Sequence, residues 1–251
     1  ENCTIADYRQ LNGVDIIIPS GKSLIINNSI KLLANARIYI MEGGTLTAIK
    51  GTGIGDKAGI RLDDRNPLIY NAGRIISNYI TIKTGDLYNA STGIIENSND
   101  IQFQQQENGT LTNYGKLHSK NIYGNGRAED IGTTDSGQQG TINNLCFIDV
   151  ETEFNIFNLN LASNSSIECD YIIINNTTLR ASSILRSRVF GAQNAVWKFV
   201  GDATTGRALI SSETVEYIHS GGVSINGPIY FETNSYSDKG LNQNGINEYK
   251  K

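Results

Sequence analysis

The sequence predicts an all-β chain wound as a parallel β-helix, a β-solenoid with three short strands per coil of about 20–22 residues and caps at its ends. Three observations carry that expectation. A triplet recurs as Ile69-Tyr70-Asn71, Leu87-Tyr88-Asn89 and Leu111-Thr112-Asn113, and a glycine follows each, at Gly73, Gly93 and Gly115. Leu24, Leu46 and Leu68 recur every 22 residues. The composition, finally, holds 35 isoleucines, 29 asparagines and 26 glycines in 251 residues, with only 3 prolines. Isoleucine fits a pleated, half-buried surface. Asparagine and glycine fit the tight bends between strands.

Taken in order, residues 1–13 lack periodicity and end in the turn Asn12-Gly13, which suits an N-terminal cap over the open end of a core. The β-helix is expected over 14–185. Its first strands are Val14 to Ile18, Ser23 to Ile26, Ile30 to Leu33 and Arg37 to Ile40. Gly43-Gly44-Thr45-Leu46 then repeats the pattern of Gly21-Lys22-Ser23-Leu24. Residues 51–67, rich in glycine and charge, read as a loop thrown out from one corner, and 121–140 as a second. Strict alternation in Ile156 to Leu161 marks one buried face. Residues 186–251 read as less regular β coils followed by a C-terminal cap or extension. A helical alternative fails, because no stretch between strands carries a 3.6-residue pattern.

Bulk charge narrows the partners. Net charge is −4, and the longest basic run is Lys250-Lys251, so a phosphate-neutralising nucleic-acid surface is not expected. No apolar run reaches the ~18 residues of a membrane-spanning helix. The chain starts at Glu1 and its one methionine is Met41, which suits a mature secreted protein. Of three cysteines, Cys146 and Cys169 lie about one coil apart and are disulfide candidates, leaving Cys3 alone; three buried thiols are the alternative.

The Gly-x-x-Leu strand at Gly21-Lys22-Ser23-Leu24 and the Asn-x-Gly turns near Asn89 and Asn113 resemble right-handed parallel β-helices of bacterial secreted adhesins, of the filamentous-haemagglutinin type. The resemblance spans about residues 14–185 and lies in repeat style. It implies a secreted or cell-surface structural and adhesive role, and it transfers no catalytic residue.

Gly21-Lys22-Ser23 lacks the upstream glycine of a phosphate loop, since that position is Ile16. A polysaccharide lyase or hydrolase needs clustered carboxylates with a basic neighbour, and Asp63-Asp64-Arg65 is the best local candidate, with His219 second. Asp63 and Asp64 cooperate only across a bend, because adjacent strand residues point to opposite faces. Glu129, Asp130 and Asp135 are the one candidate calcium group, and no cofactor motif occurs. Twelve tyrosines offer stacking surfaces for a carbohydrate-binding module.

The resulting expectation is an extracellular structural or adhesive solenoid that self-associates as a homo-oligomer or polymer, with a glycan or host-surface ligand as a possible partner. A glycan-active enzyme and a carbohydrate-binding module are the alternatives. Within the coil, Asn71, Asn89 and Asn113 are expected to point inward and hydrogen-bond from coil to coil, as amide ladders do in cross-β stacks.

Overall fold

In the computed structural model the described residues are 2–49, 59–104, 108–124, 140–180, 182–192, 196–199, 208–217, 224–226, 229–236 and 246–250. Among them every regular element is a strand, and every pairing is parallel, as expected of a β-solenoid. Three faces run along the stack. The first passes through Cys3–Ile5, Ser23–Ile26, Thr45–Ala48, and the starts of Arg74–Ile82, Ile94–Phe103 and Lys116–Tyr123, and continues by parallel pairing to Ile246–Lys250, where the register shifts. The second holds Arg9–Asn12, Ile30–Leu33, Ile60–Leu62 and the later halves of the long strands. The third holds Asp15–Ile18, Arg37–Ile40, Leu68–Asn71, Asp86–Asn89, Thr110–Asn113 and Thr141–Asn144.

Alternation decides which side chains fill the core. On the third face Ile38, Ile69, Leu87, Leu111 and Ile142 stack rung on rung, and all are fully buried. Leu24, Leu46, Ile75, Ile95 and Leu117 form the matching column of the first face. Ile30, Ile60, Ile80, Ile101 and Ile122 form that of the second. Burying each such side chain is worth about 1.5–3 kcal/mol. β-Branched residues dominate because they stack on a pleat with little rotamer freedom to lose.

Several expectations change. Residues 3–12 are the first coil itself rather than a separate cap, since Cys3–Ile5 pairs with Ser23–Ile26 and Arg9–Asn12 with Ile30–Leu33. The described strands beyond residue 186 keep the same parallel pairing. The 22-residue leucine spacing is half real. Leu24 stacks on Leu46, but Leu46 stacks on Ile75, and Leu68 faces outward on another face. The extra residues after Ala48 lengthen that coil and break the count.

The turn glycines have a different physical reason from the one their type suggests. Positive φ occurs at Gly13, Gly21, Gly43 and Gly85, and not at Gly73, Gly93 or Gly115. What excludes a side chain at these three is the coil beneath. A Cβ on Gly115 would lie 2.2 Å from the Gly93 carbonyl oxygen and 2.4 Å from that of Ala90. Backbone atoms held in a hydrogen-bonded stack cannot step aside. Gly115→Ala is therefore expected to cost about 2–4 kcal/mol, an overpacking and strain effect. Gly21→Ala meets no atom within 4 Å and carries only its φ penalty of about 1–2 kcal/mol. Denaturant midpoints of the two variants check the order; equal losses would refute the stacking explanation.

Candidate functional site

Among the described residues four clusters of side chains rise above the scaffold, and three contain residues singled out in the sequence. The first is the corner between the third and first faces. Asn71, Asn89 and Asn113 are fully buried there, as the amide ladder requires, and Asn144 is a fourth member. Asn71 Nδ2 donates to Asn89 Oδ1 at 2.7 Å, Asn89 Nδ2 to Asn113 Oδ1 at 2.8 Å, and Asn113 Nδ2 to Asn144 Oδ1 at 3.0 Å. Each amide also donates to a carbonyl one coil on: Asn71 to Ile94, Asn89 to Lys116, Asn113 to Phe147 and Asn144 to Ser166. The row is polar in direction, every donor aimed toward higher residue numbers. Its first acceptor, Asn71 Oδ1, is buried and unbonded because the rung below presents Ile40. Asn144 was legible in the sequence, as the last residue of Thr141-Ile142-Asn143-Asn144, but the 125–139 segment hides its period.

On the outward side of these same strands lies an aromatic row. Tyr39, Tyr70 and Tyr88 occupy one register position on successive rungs, above Ile17. Tyr70 and Tyr88 stack with centroids 5.3 Å apart and planes 9° from parallel. Tyr39 meets Tyr70 at 6.4 Å and 44°, and Tyr114 joins from the next turn at 5.4 Å and 38°. The dipeptides Tyr70-Asn71 and Tyr88-Asn89 thus divide their work across the strand. The asparagine hydrogen-bonds from coil to coil inside, and the backbone pairing of the same strands brings the rings to stacking distance outside. Since the rings turn faces toward one another, the row presents chiefly ring edges and hydroxyls to solvent. Burial raises the Tyr88 phenol above its ordinary value, with the neighbouring Tyr114 and Tyr70 phenols adding to it.

The carboxylates proposed for catalysis separate. Asp64 is exposed and, among the described residues, pairs with its neighbour Arg65 at 3.5 Å. Asp63 is 4% exposed on the second face, held by Lys31, by Arg61 Nε at 3.3 Å and by Lys83 at 3.4 Å. Arg61 Nη2 in turn donates to Gln104 Oε1 at 3.2 Å. The group links successive coils through side chains from four rungs. Burial pushes the Asp63 carboxyl up, but the Lys31 hydrogen bond and the charges of Arg61, Lys31 and Lys83 outweigh it and hold its pKa below the usual value. A carboxylate held ionised by three cations is a structural counter-ion, poorly suited to proton transfer near neutral pH.

His118 lies outward on the first face between two carboxylates of the next coil, Nδ1 at 2.9 Å from Asp149 Oδ2 and Nε2 at 3.2 Å from Glu151 Oε1. Burial lowers its pKa, and the Asp149 and Glu151 contacts overcome that and raise it. His219 and the calcium candidates Glu129, Asp130 and Asp135 lie outside the described residues. Among the described residues no group of three or more His, Cys, Asp or Glu side chains is placed to hold a metal ion.

The proposed disulfide is overturned. Cys3, Cys146 and Cys169 are free thiols. Cys169 stacks on Val150, whereas Cys146 precedes Phe147, which stacks on Ser166. The two cysteines therefore sit four strand positions out of register, about 13 Å at ~3.3 Å per residue, beyond the ~7 Å limit for a bridge. Burial drives the Cys169 thiol up to about 12.

With this geometry in hand, known proteins add nothing to compare: no family model, no curated protein and no solved structure matches the chain.

Two outcomes follow from these clusters. Asn89→Leu strands the Asn71 amide and the Asn113 acceptor, and is expected to cost about 2–5 kcal/mol. Asn71→Leu exchanges one orphan acceptor for another, Asn89 Oδ1, and should cost about 1–3 kcal/mol less than Asn89→Leu by urea denaturation. Asp63 titrates with a lowered folded pKa, so its stabilisation is present above the unfolded value of about 4 and is lost as pH falls through the folded value. The stability gap between the native chain and Asp63→Asn should accordingly be widest near neutral pH and narrow below about pH 4. A gap independent of pH would contradict the ion-pair assignment.

Proposed function

We propose that this chain is an extracellular, non-catalytic β-solenoid with a structural and adhesive role, acting through contact along its flat faces and self-associating at a cell surface or after secretion. The observation that carries this reading is the outward side of the third face. Ile17, Tyr39, Tyr70, Tyr88 and Tyr114 form a continuous stripe there, with Ile17 60% exposed and Tyr114 40% exposed. Met41 (44% exposed) extends it at the adjoining turn. A row of aromatic and aliphatic side chains on a rigid support binds at low entropic cost, because stacked rings have little freedom left to lose. The described polar cluster at Asp63, in contrast, is closed upon itself by ion pairs. Resemblance of the repeat style to secreted bacterial adhesins points the same way, with a glycan or host-surface molecule as ligand.

Retention of the purified chain on immobilised glycans and extracellular-matrix proteins tests this. The double variant Tyr70→Thr, Tyr88→Thr copies the threonine that the chain itself places in this row at Thr112. It is expected to keep a β-sheet circular dichroism spectrum and to lose about tenfold or more in retention. Absence of retention for the native chain on every surface, or equal retention of the variant, would sink the adhesive reading.

A further inference from the structure

The third face has a second outward row, beside the tyrosines, and its order is informative. Rung by rung it reads Asp15, Arg37, Leu68, Asp86 and Thr110. Arg37 and Asp86 are exposed, and among the described residues neither side chain has an ion-pair partner. They stand one coil to either side of Leu68. Inverting the row about Leu68 therefore brings Arg37 onto Asp86 and Asp86 onto Arg37. The same inversion sets Leu68 on Leu68, Tyr70 on Tyr70, Tyr39 on Tyr88, and exposed Ile17 on Thr112. The face is complementary to its own inverse.

We propose that the third face docks on the third face of a second copy of this chain. The two-fold axis lies along the strand Leu68–Asn71, so the two solenoids run antiparallel. This rests on the reading of the face as a contact surface and names its partner. Rotation about the strand direction keeps each residue's position along the strand and reverses the coil order, which is the operation that matches the charges. The other face-to-face two-fold, along the solenoid axis, sets each coil against itself and reverses the strand. It places Arg37 against the partner's Tyr39, leaving Arg37 and Asp86 unpaired. An isologous contact of the first kind closes as a dimer. Two sheets meeting in this way pack about 10 Å apart, which Leu68 and the ring edges of the tyrosines fill from both sides.

The size of the patch sets its strength. Five rungs at ~4.8 Å and four residues at ~3.3 Å cover roughly 320 Å² per copy. A standard interface buries about 800 Å² per partner. The dimer is thus weak and reversible, and its two symmetric Arg37–Asp86 contacts sit at the rim, where charges govern orientation and salt sensitivity more than total affinity.

Sedimentation equilibrium of the native chain from about 10 µM to about 1 mM should show the mass rising from monomer toward dimer, less so in high salt. Arg37→Asp or Asp86→Arg alone opposes like charges at two places and is expected to weaken association about tenfold or more. The double variant Arg37→Asp, Asp86→Arg restores both contacts with signs exchanged and should return to within about threefold of the native chain. Both positions are exposed, so folding is expected to survive, as circular dichroism verifies. A monomeric mass throughout overturns the proposal, and so does a double variant no better than the singles. If a strictly monomeric chain is still retained on coated surfaces through Tyr70 and Tyr88, the pairing fails and the adhesive reading stands.

Discussion

Parallel, in-register stacking of one coil on the next is the constraint on which the rest of this molecule depends. Each strand hydrogen-bonds to the strand of the coil below, so residues of like position repeat at the ~4.8 Å inter-strand distance. A side chain that stacks on its own kind at that distance is favoured, and one that cannot is excluded. Isoleucine on isoleucine fills the core, amide on amide closes the corner, and phenol ring lies on phenol ring outside. The glycines of the same corner obey the rule in the negative. The carbonyl oxygens of the coil below stand where their side chains would be.

Polar groups inside such a stack must be satisfied by the stack itself. The asparagine row does so, each amide giving one hydrogen to its successor and another to a backbone carbonyl. A companion set at the bend between the first and second faces works with smaller partners. Ser77 donates to Asn97, which donates to Ser119, which donates to the backbone of Asn121. Charge is handled similarly on the outside, where Arg74 pairs with Glu96, Arg186 with Glu168 and Arg188 with Asp170, in each case one coil apart. These exposed pairs contribute little energy individually. Their repetition at one spacing still favours one register over a slipped one.

Sequence alone revealed the fold where the coil period was undisturbed. Between Asn71 and Asn113 the triplets and glycines fall on the rungs the structure places them on. Legibility failed wherever a coil was lengthened. The extra residues after Ala48 made Leu68 look like a stack member when it faces solvent, and the segment before Gly140 concealed Asn144. Residues 3–12 went unrecognised as a coil because Ile5 and Leu11 are their only apolar residues packed on the core, too sparse to show a period. The Asp63 cluster was invisible for a different reason. Lys31 and Lys83 lie 32 residues before and 20 after it, and only the register brings them together. The cysteine pairing erred by trusting a spacing of about one coil without knowing where in the coil each residue sat.

The one-way sense of the asparagine row has a consequence for how such a chain can change. Every interior amide offers its successor the same donor and its predecessor the same acceptor, so no rung of the row recognises a particular neighbour. A block running from one asparagine to the next is a self-contained cassette. Duplicating or excising it leaves the amides on either side meeting the same chemistry as before, with the unpaired oxygen still confined to Asn71. Length can therefore drift in whole coils between Asn71 and Asn144, and also at the turns, since the row holds across spacings of 18, 24 and 31 residues, whereas a slip inside one of the asparagine-bearing strands throws it out of line.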